Sequence, residues 1–178
     1  MSIKINFKKN IPNKSSLNLV IFADEKFNTS FIKKYINSSE FSYINDLIKV
    51  SDLDKNLLVF ELSSKRKIVL VSIKKNIESF DIENLGAEFF GRINDGKKSE
   101  YFINSESIIS KNKNFIEHFL HGLKLRSYKF NKYKSKQNKK SININVFGKK
   151  NMPSNYSLMR FKALEEGTFY ARDLVSEL

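Results

Sequence analysis

The sequence predicts an α/β fold, a mixed sheet flanked by helices on both faces, and three observations carry that prediction. Strand-like and helix-like periodicities alternate along the 178 residues, the pattern that gives layered α/β domains. Residues 17–22 (LNLVIF) are almost continuously apolar, as a strand buried on both faces must be. A hydrophobic fraction of 40%, with 16 phenylalanines, supplies the volume of a core, because each aromatic ring buries a large area.

The elements follow in chain order. Residues 3–7 alternate, with Ile3, Ile5 and Phe7 on one side and Lys4 and Asn6 on the other; this is a half-buried strand near a sheet edge. Residues 8–16 are polar, contain Pro12 and form a loop. After the apolar strand, Phe27, Phe31, Ile32, Tyr35 and Ile36 share a helical face, so a short helix is expected over 25–36. A second helix spans 41–50 through Phe41, Ile44, Leu47 and Ile48, with Ser38 or Ser39 as its cap. Residues 57–62 and 67–73 read as two strands, joined across Ser63-Ser64-Lys65-Arg66 as a hairpin. Ile82, Leu85, Phe89 and Ile93 mark a helix that is capped by Ser79 or Asp81 and stopped by Gly96. Residues 100–104 form a short strand. Ile116, Phe119, Leu120 and Leu123 form the buried face of the next helix. Gly122 interrupts that face, and a glycine there predicts the close approach of another backbone. The last strand covers 142–147, where apolar residues alternate with asparagine, and a linker with Pro153 follows. From Tyr156 onward Leu158, Phe161, Leu164, Thr168, Ala171 and Val175 recur at helical spacing.

Composition restricts the chemistry. Without cysteine there is no disulfide framework, thiolate metal site or cysteine nucleophile. No apolar run approaches the roughly 18 residues of a membrane span, and the N-terminus alternates instead of forming a signal-peptide core, so a cytoplasmic protein is expected. The net charge is +13, large enough to attract a polyanion. Only five basic residues are arginine and 27 are lysine. Lysine, asparagine, isoleucine and phenylalanine are abundant together, and all have A/T-rich codons, so codon composition is the plainer source of the charge. G-x-S-x-G, P-loop, H-E-x-x-H and G-x-G-x-x-G motifs do not occur. An ADP-ribose-type pocket therefore lacks its glycine-rich loops.

Two constellations remain. His118 and His121, beside Glu117, have a helical spacing at which neutral imidazoles can share a metal. Any further ligands would have to be carboxylates, and chance placement on a helix is the plainer reading, so no metal ligand is assigned. Residues 124–140 carry eight basic side chains, no acidic one, and three interleaved aromatics: Tyr128, Phe130 and Tyr133. Within it Lys129, Lys132, Lys134, Lys136, Lys139 and Lys140 are the candidate polyanion-binding patch, with the aromatics available to stack on bases. The competing reading is a solvated loop whose aromatics face inward.

Three segments resemble the leucyl (cytosol) aminopeptidase family. One is the glycine-bearing helix running into Tyr128-x-Phe130-x-x-Tyr133-Lys134. Another is Glu165-Glu166-Gly167-Thr168-Phe169-Tyr170-Ala171-Arg172-Asp173-Leu174-Val175. The third is Tyr43-Ile44-Asn45-Asp46-Leu47-Ile48 followed by Asp52-Leu53-Asp54. The chain departs from the family after Asp54, where Lys55-Asn56 runs straight into Leu57 without a glycine-containing loop. The resemblance implies a macro-domain-like, non-catalytic N-terminal domain over residues 1–148. It implies a linker and the start of an interdomain helix over 149–178, with the catalytic domain absent and Gly167, Ala171, Arg172, Asp173 and Leu174 on that helix. It further implies a metallo-exopeptidase that removes N-terminal residues from peptides. Two divalent metals, zinc or manganese, would be held by its C-terminal domain, and the protein would assemble as a homo-hexamer. No catalytic or metal-binding residue carries over to this chain, so the expected role is scaffolding and oligomer assembly. The alternative is a stand-alone nucleic-acid-binding module of the same fold. The last helix discriminates: packed home it suits autonomy, and with apolar residues in solvent it calls for a partner.

Overall fold

A computed structural model describes residues 2–10, 18–30, 32–63, 66–94, 99–130 and 141–177. The elements are β1 (Ser2–Lys8), β2 (Asn18–Ala23), α1 (Ser38–Lys49), β3 (Leu57–Ser63), β4 (Arg66–Ser72), α2 (Ser79–Ile93), β5 (Ser99–Asn104), α3 (Phe115–Ser127), β6 (Ser141–Phe147) and α4 (Asn155–Glu177). The strands form one sheet in the order β1-β6-β5-β2-β4-β3. Every neighbouring pair is parallel except β3–β4, which is antiparallel. Parallel strands need helical crossovers, and these cover both faces.

β2 lies in the sheet interior, as its unbroken apolar sequence requires. Val20 and Phe22 join the core beneath α2 and α3, whereas Leu19, Ile21 and Ala23 join the core beneath α1. β1 is an edge strand in which Ile3 and Ile5 pack half-buried against the first core, whereas Phe7 of the same alternating side is exposed. In β6, Ile142, Ile144 and Val146 enter the first core. Asn145 is buried and donates to Glu100 Oε1 at 2.8 Å, while its own Oδ1 accepts from Asn6 Nδ2 at 3.3 Å. A polar link thus ties β1, β6 and β5 across the sheet, which satisfies the buried amide.

The helix expected over 25–36 does not form; a short 3-10 turn covers Ile32–Lys34. Asp24 Oδ1 accepts from the backbone N–H groups of Lys26 and Asn28, and Asn28 Oδ1 accepts from that of Ser30. These side chains compete with helical hydrogen bonding. Phe27 takes a φ of 50°. Its side chain and those of Ile32, Tyr35 and Ile36 are nevertheless buried, so these apolar positions were read correctly and the backbone was not; Phe31 lies outside the described residues. The cap of α1 is Asn37, not Ser38 or Ser39. Its side chain accepts from Glu40 N, and Glu40 accepts from the Asn37 N–H, forming a capping box. Ser79 opens α2 and Asp81 lies in its first turn, but the cap position is Glu78, without a side-chain cap bond. Gly96, the 64–65 connection and most of the 8–16 loop fall outside the described residues.

α2 and α3 lie side by side on one face. A Cβ at Gly86 would collide with the Phe119 carbonyl, and one at Gly122 with the Glu83 carbonyl. Two glycines at reciprocal positions let the helix backbones touch, and this close approach fixes α3 where α4 meets it.

Candidate interdomain interface

α4 is held by α3. Of its 23 residues, Phe161 and Glu165, one turn apart, are buried. The Phe161 ring meets the ring of His118 at 4.9 Å and that of His121 at 5.2 Å, both edge-on. His118 Nδ1 faces Glu83 Oε1 at 2.8 Å, which links α3 to α2 as well. His121 Nδ1 faces Glu165 Oε1 at 3.4 Å, and Lys124 Nζ donates to Glu165 Oε2 at 2.6 Å. The Glu165 side chain is 7% exposed. A carboxylate so buried needs a paired cation, and Lys124 provides it from the adjacent helix.

A second set of contacts grips the other end of α4. The Tyr128 hydroxyl donates to Asp173 Oδ1 at 2.6 Å, and its ring stacks on Phe169 at 5.3 Å. Arg172 Nη1 donates to the Leu125 carbonyl at 2.8 Å and its guanidinium lies 5.5 Å from the Tyr128 ring centre. Leu125 is in the last turn of α3, where carbonyls lack helical partners, so Arg172 satisfies an orphan group. Burial, then the hydrogen bond and negative charge of Asp173, hold the Tyr128 hydroxyl above its ordinary value. This contact is therefore intact below about pH 10, and its contribution is lost as pH rises through the raised value.

The opposite side of α4 is apolar and uncovered. Tyr156 is 79% exposed, Met159 73%, Tyr170 66%, Leu174 49% and Val175 74%. Scattered exposed apolar residues are ordinary, but a continuous patch along one helix marks an interaction surface. Of the large apolar residues that recur at helical spacing in the last helix, Phe161 is buried and Leu158 half-buried, whereas Leu164 and Val175 stand in solvent.

The sequence-derived residues divide in the same way. Arg172 and Asp173 form the clamp, while Gly167, Ala171 and Leu174 are exposed. Lys129 is exposed after α3; Lys132, Lys134, Lys136, Lys139 and Lys140 lie outside the described residues. His118 and His121 each face their own carboxylate. Among the described residues no group of three or more histidine, cysteine, aspartate or glutamate side chains is placed to hold a metal ion. No helix among those residues is long and apolar enough to cross a membrane. Glu83 was not singled out from the sequence, and Glu165 was named only as the first residue of the segment ending at Val175. The available signal was the pairing of Phe161/Glu165 at i, i+4 with His121/Lys124 at i, i+3, which matches two helix faces.

Comparison with known proteins gives this arrangement a context. The fold matches a point mutant of tomato leucine aminopeptidase with a TM-score of 0.69 at 16% identity, over 98% of this chain and 38% of that one. It matches a cytosol aminopeptidase from Coxiella burnetii with a TM-score of 0.58 at 11% identity, over 96% and 33%. This chain thus spans about a third of either enzyme. The IBV X-domain matches at a TM-score of 0.51 and 12% identity, over 90% of this chain and 98% of its own, in keeping with the macro-domain-like architecture. Among curated proteins no significant match is found. The sequence profile of the cytosol aminopeptidase family, N-terminal domain, matches residues 20–137. That span runs from within β2 through α3, the helix on which α4 docks, and on it the chain belongs to the cytosol aminopeptidase family as its N-terminal domain.

Proposed function

We propose that this chain is the non-catalytic N-terminal domain of a leucyl aminopeptidase, a metal-dependent exopeptidase acting on peptide N-termini in the cytoplasm. Its role is scaffolding: residues 1–148 form the domain, and residues 149–178 form the linker and the helix that carries the catalytic domain. The observation that carries this reading is the two-sided α4. One side is bound to α3 through Phe161, Glu165 and Arg172, and the other presents Tyr170, Leu174 and Val175 to a partner. The two catalytic metals and the hexameric assembly belong, in this reading, to the full-length enzyme.

Two measurements test it. The coding sequence after Leu178 is expected to continue into a domain with a lysine and clustered carboxylates; an immediate stop codon would refute the reading. The purified chain with manganese is expected to leave a leucine arylamide intact, and turnover would place catalysis within these residues.

A further inference from the structure

Arginine is scarce here, five residues among 32 basic ones, and its placement is uneven. Arg66 is buried and pairs with Glu40 at 3.1 Å. Arg160 lies exposed on α4. The other three line two adjoining clefts on the outer side of α2 and α3. One cleft, of about 360 Å³, has Arg126, Arg172 and Tyr128 in its wall. The other, of about 510 Å³, has Arg92 and Arg126. Ala87 and Arg126 belong to both.

The acidic residues at these clefts are engaged elsewhere. Glu83 faces His118 at 2.8 Å, and Glu88 accepts from Asn56 Nδ2 at 3.2 Å. Arg172 is fixed by the Leu125 carbonyl. Among the described residues no carboxylate pairs with Arg92 or Arg126. Two unpaired guanidinium forks over a shared cleft suit bidentate binding of carboxylates. A Cβ at Gly91 would meet nothing within 4 Å, so the cleft is open to a chain lying along α2.

We infer that the joined cleft binds the carboxylate side chains of an acidic polypeptide segment, carried by the partner that covers α4. The ligand class stands on the arginines alone; the assignment to that partner rests on the proposed function. A polypeptide is favoured over nucleic acid for two reasons. Tyr128, the aromatic residue of the lining, is already stacked on Phe169 and covered by Arg172, which leaves no platform for a base. Arg172 also belongs to α4, so the cleft adjoins the helix whose outer face is apolar.

The test titrates a hexaglutamate peptide into the 178-residue chain at low salt, where charge contacts are least screened. Arg92→Gln/Arg126→Gln is compared with Lys33→Gln/Lys49→Gln, which removes the same charge at α1, on the opposite side of the sheet: Lys49 is on that helix and Lys33 lies over its Phe41 ring at 4.8 Å. The cleft variant is expected to weaken binding by about tenfold or more, and the lysine variant by less than about twofold, with both melting as the parent does. Equal weakening by the two variants overturns the cleft. Tighter binding of an oligothymidylate of equal charge, lost in the cleft variant, overturns the choice of carboxylate. A stop codon after Leu178 with the arginine-dependent binding intact removes only the proposed partner. A downstream catalytic domain with no arginine dependence removes only the cleft.

Discussion

At Gly122 a single hydrogen in place of a methyl group sets the distance between two helices. Glycine inside a helix costs about 1 kcal/mol relative to alanine, so Gly86 and Gly122 together forgo about 2 kcal/mol of helical propensity. The return is backbone contact, because the space a Cβ would need is filled by carbonyls rather than by yielding side chains. Overpacking of that kind costs about 1–3 kcal/mol per site, more than the propensity recovered. With about 1 kcal/mol of propensity recovered, Gly122→Ala is therefore expected to lower stability by about 1–2 kcal/mol. Gly167→Ala, in α4 with nothing within 4 Å of the added carbon, is expected to raise it by up to about 1 kcal/mol. Urea midpoints of the two variants check the pair; equal and opposite shifts from this ordering would show that packing at Gly122 is slack. The glycine was legible as a close approach from its place in the apolar stripe. Which backbone approached was not, because nothing local to residues 115–127 names Glu83.

Helical elements were legible from apolar spacing and misjudged where polar side chains decide the backbone. Phe27, Ile32 and Tyr35 lie at helical intervals and all are buried, yet Asp24 and Asn28 turn the chain with their own carboxylate and amide oxygens. In α4 the apolar spacing identified the helix, but the residue that most commits it to α3 is a glutamate. Nothing in the sequence marks Glu165 as buried, because its cations, Lys124 and His121, are 41 and 44 residues away. Phe161 is the apolar half of the same grip. Phe161→Ala in a well-packed site removes about 3–5 kcal/mol. Here the loss is expected to appear locally, since both ring contacts of Phe161 are with α3. Hydrogen exchange should accelerate across residues 155–177 while β2 and β4 keep their protection. Equal acceleration in the sheet would show that α4 unfolds only with the whole domain.

For the whole molecule, the layered class was legible and the strand order was not. A continuous apolar run locates β2 in the interior and alternation locates β1 at an edge, because both follow from how many faces are buried. The insertion of β6 between β1 and β5 depends on pairings such as Ile3 with Ile142, and periodicity carries no register across such distances. The same limit applies to α4. Its sequence has enough apolar residues for both sides, but only the assembled fold shows that one side is used and the other is spare. If the spare side serves a partner, it contributes nothing to this domain's own stability. Tyr170→Glu/Leu174→Glu is then expected to leave the urea midpoint of the isolated chain within the range of surface substitutions, about 0.5 kcal/mol. The same change should reduce concentration-dependent self-association in sedimentation runs, since it places two charges in the exposed apolar stripe. Unchanged association would mean that this stripe is not where the isolated chain adheres. A marked loss of stability would mean that Tyr170 and Leu174 belong to the domain itself, and α4 would then be its closing element, not its connection to another.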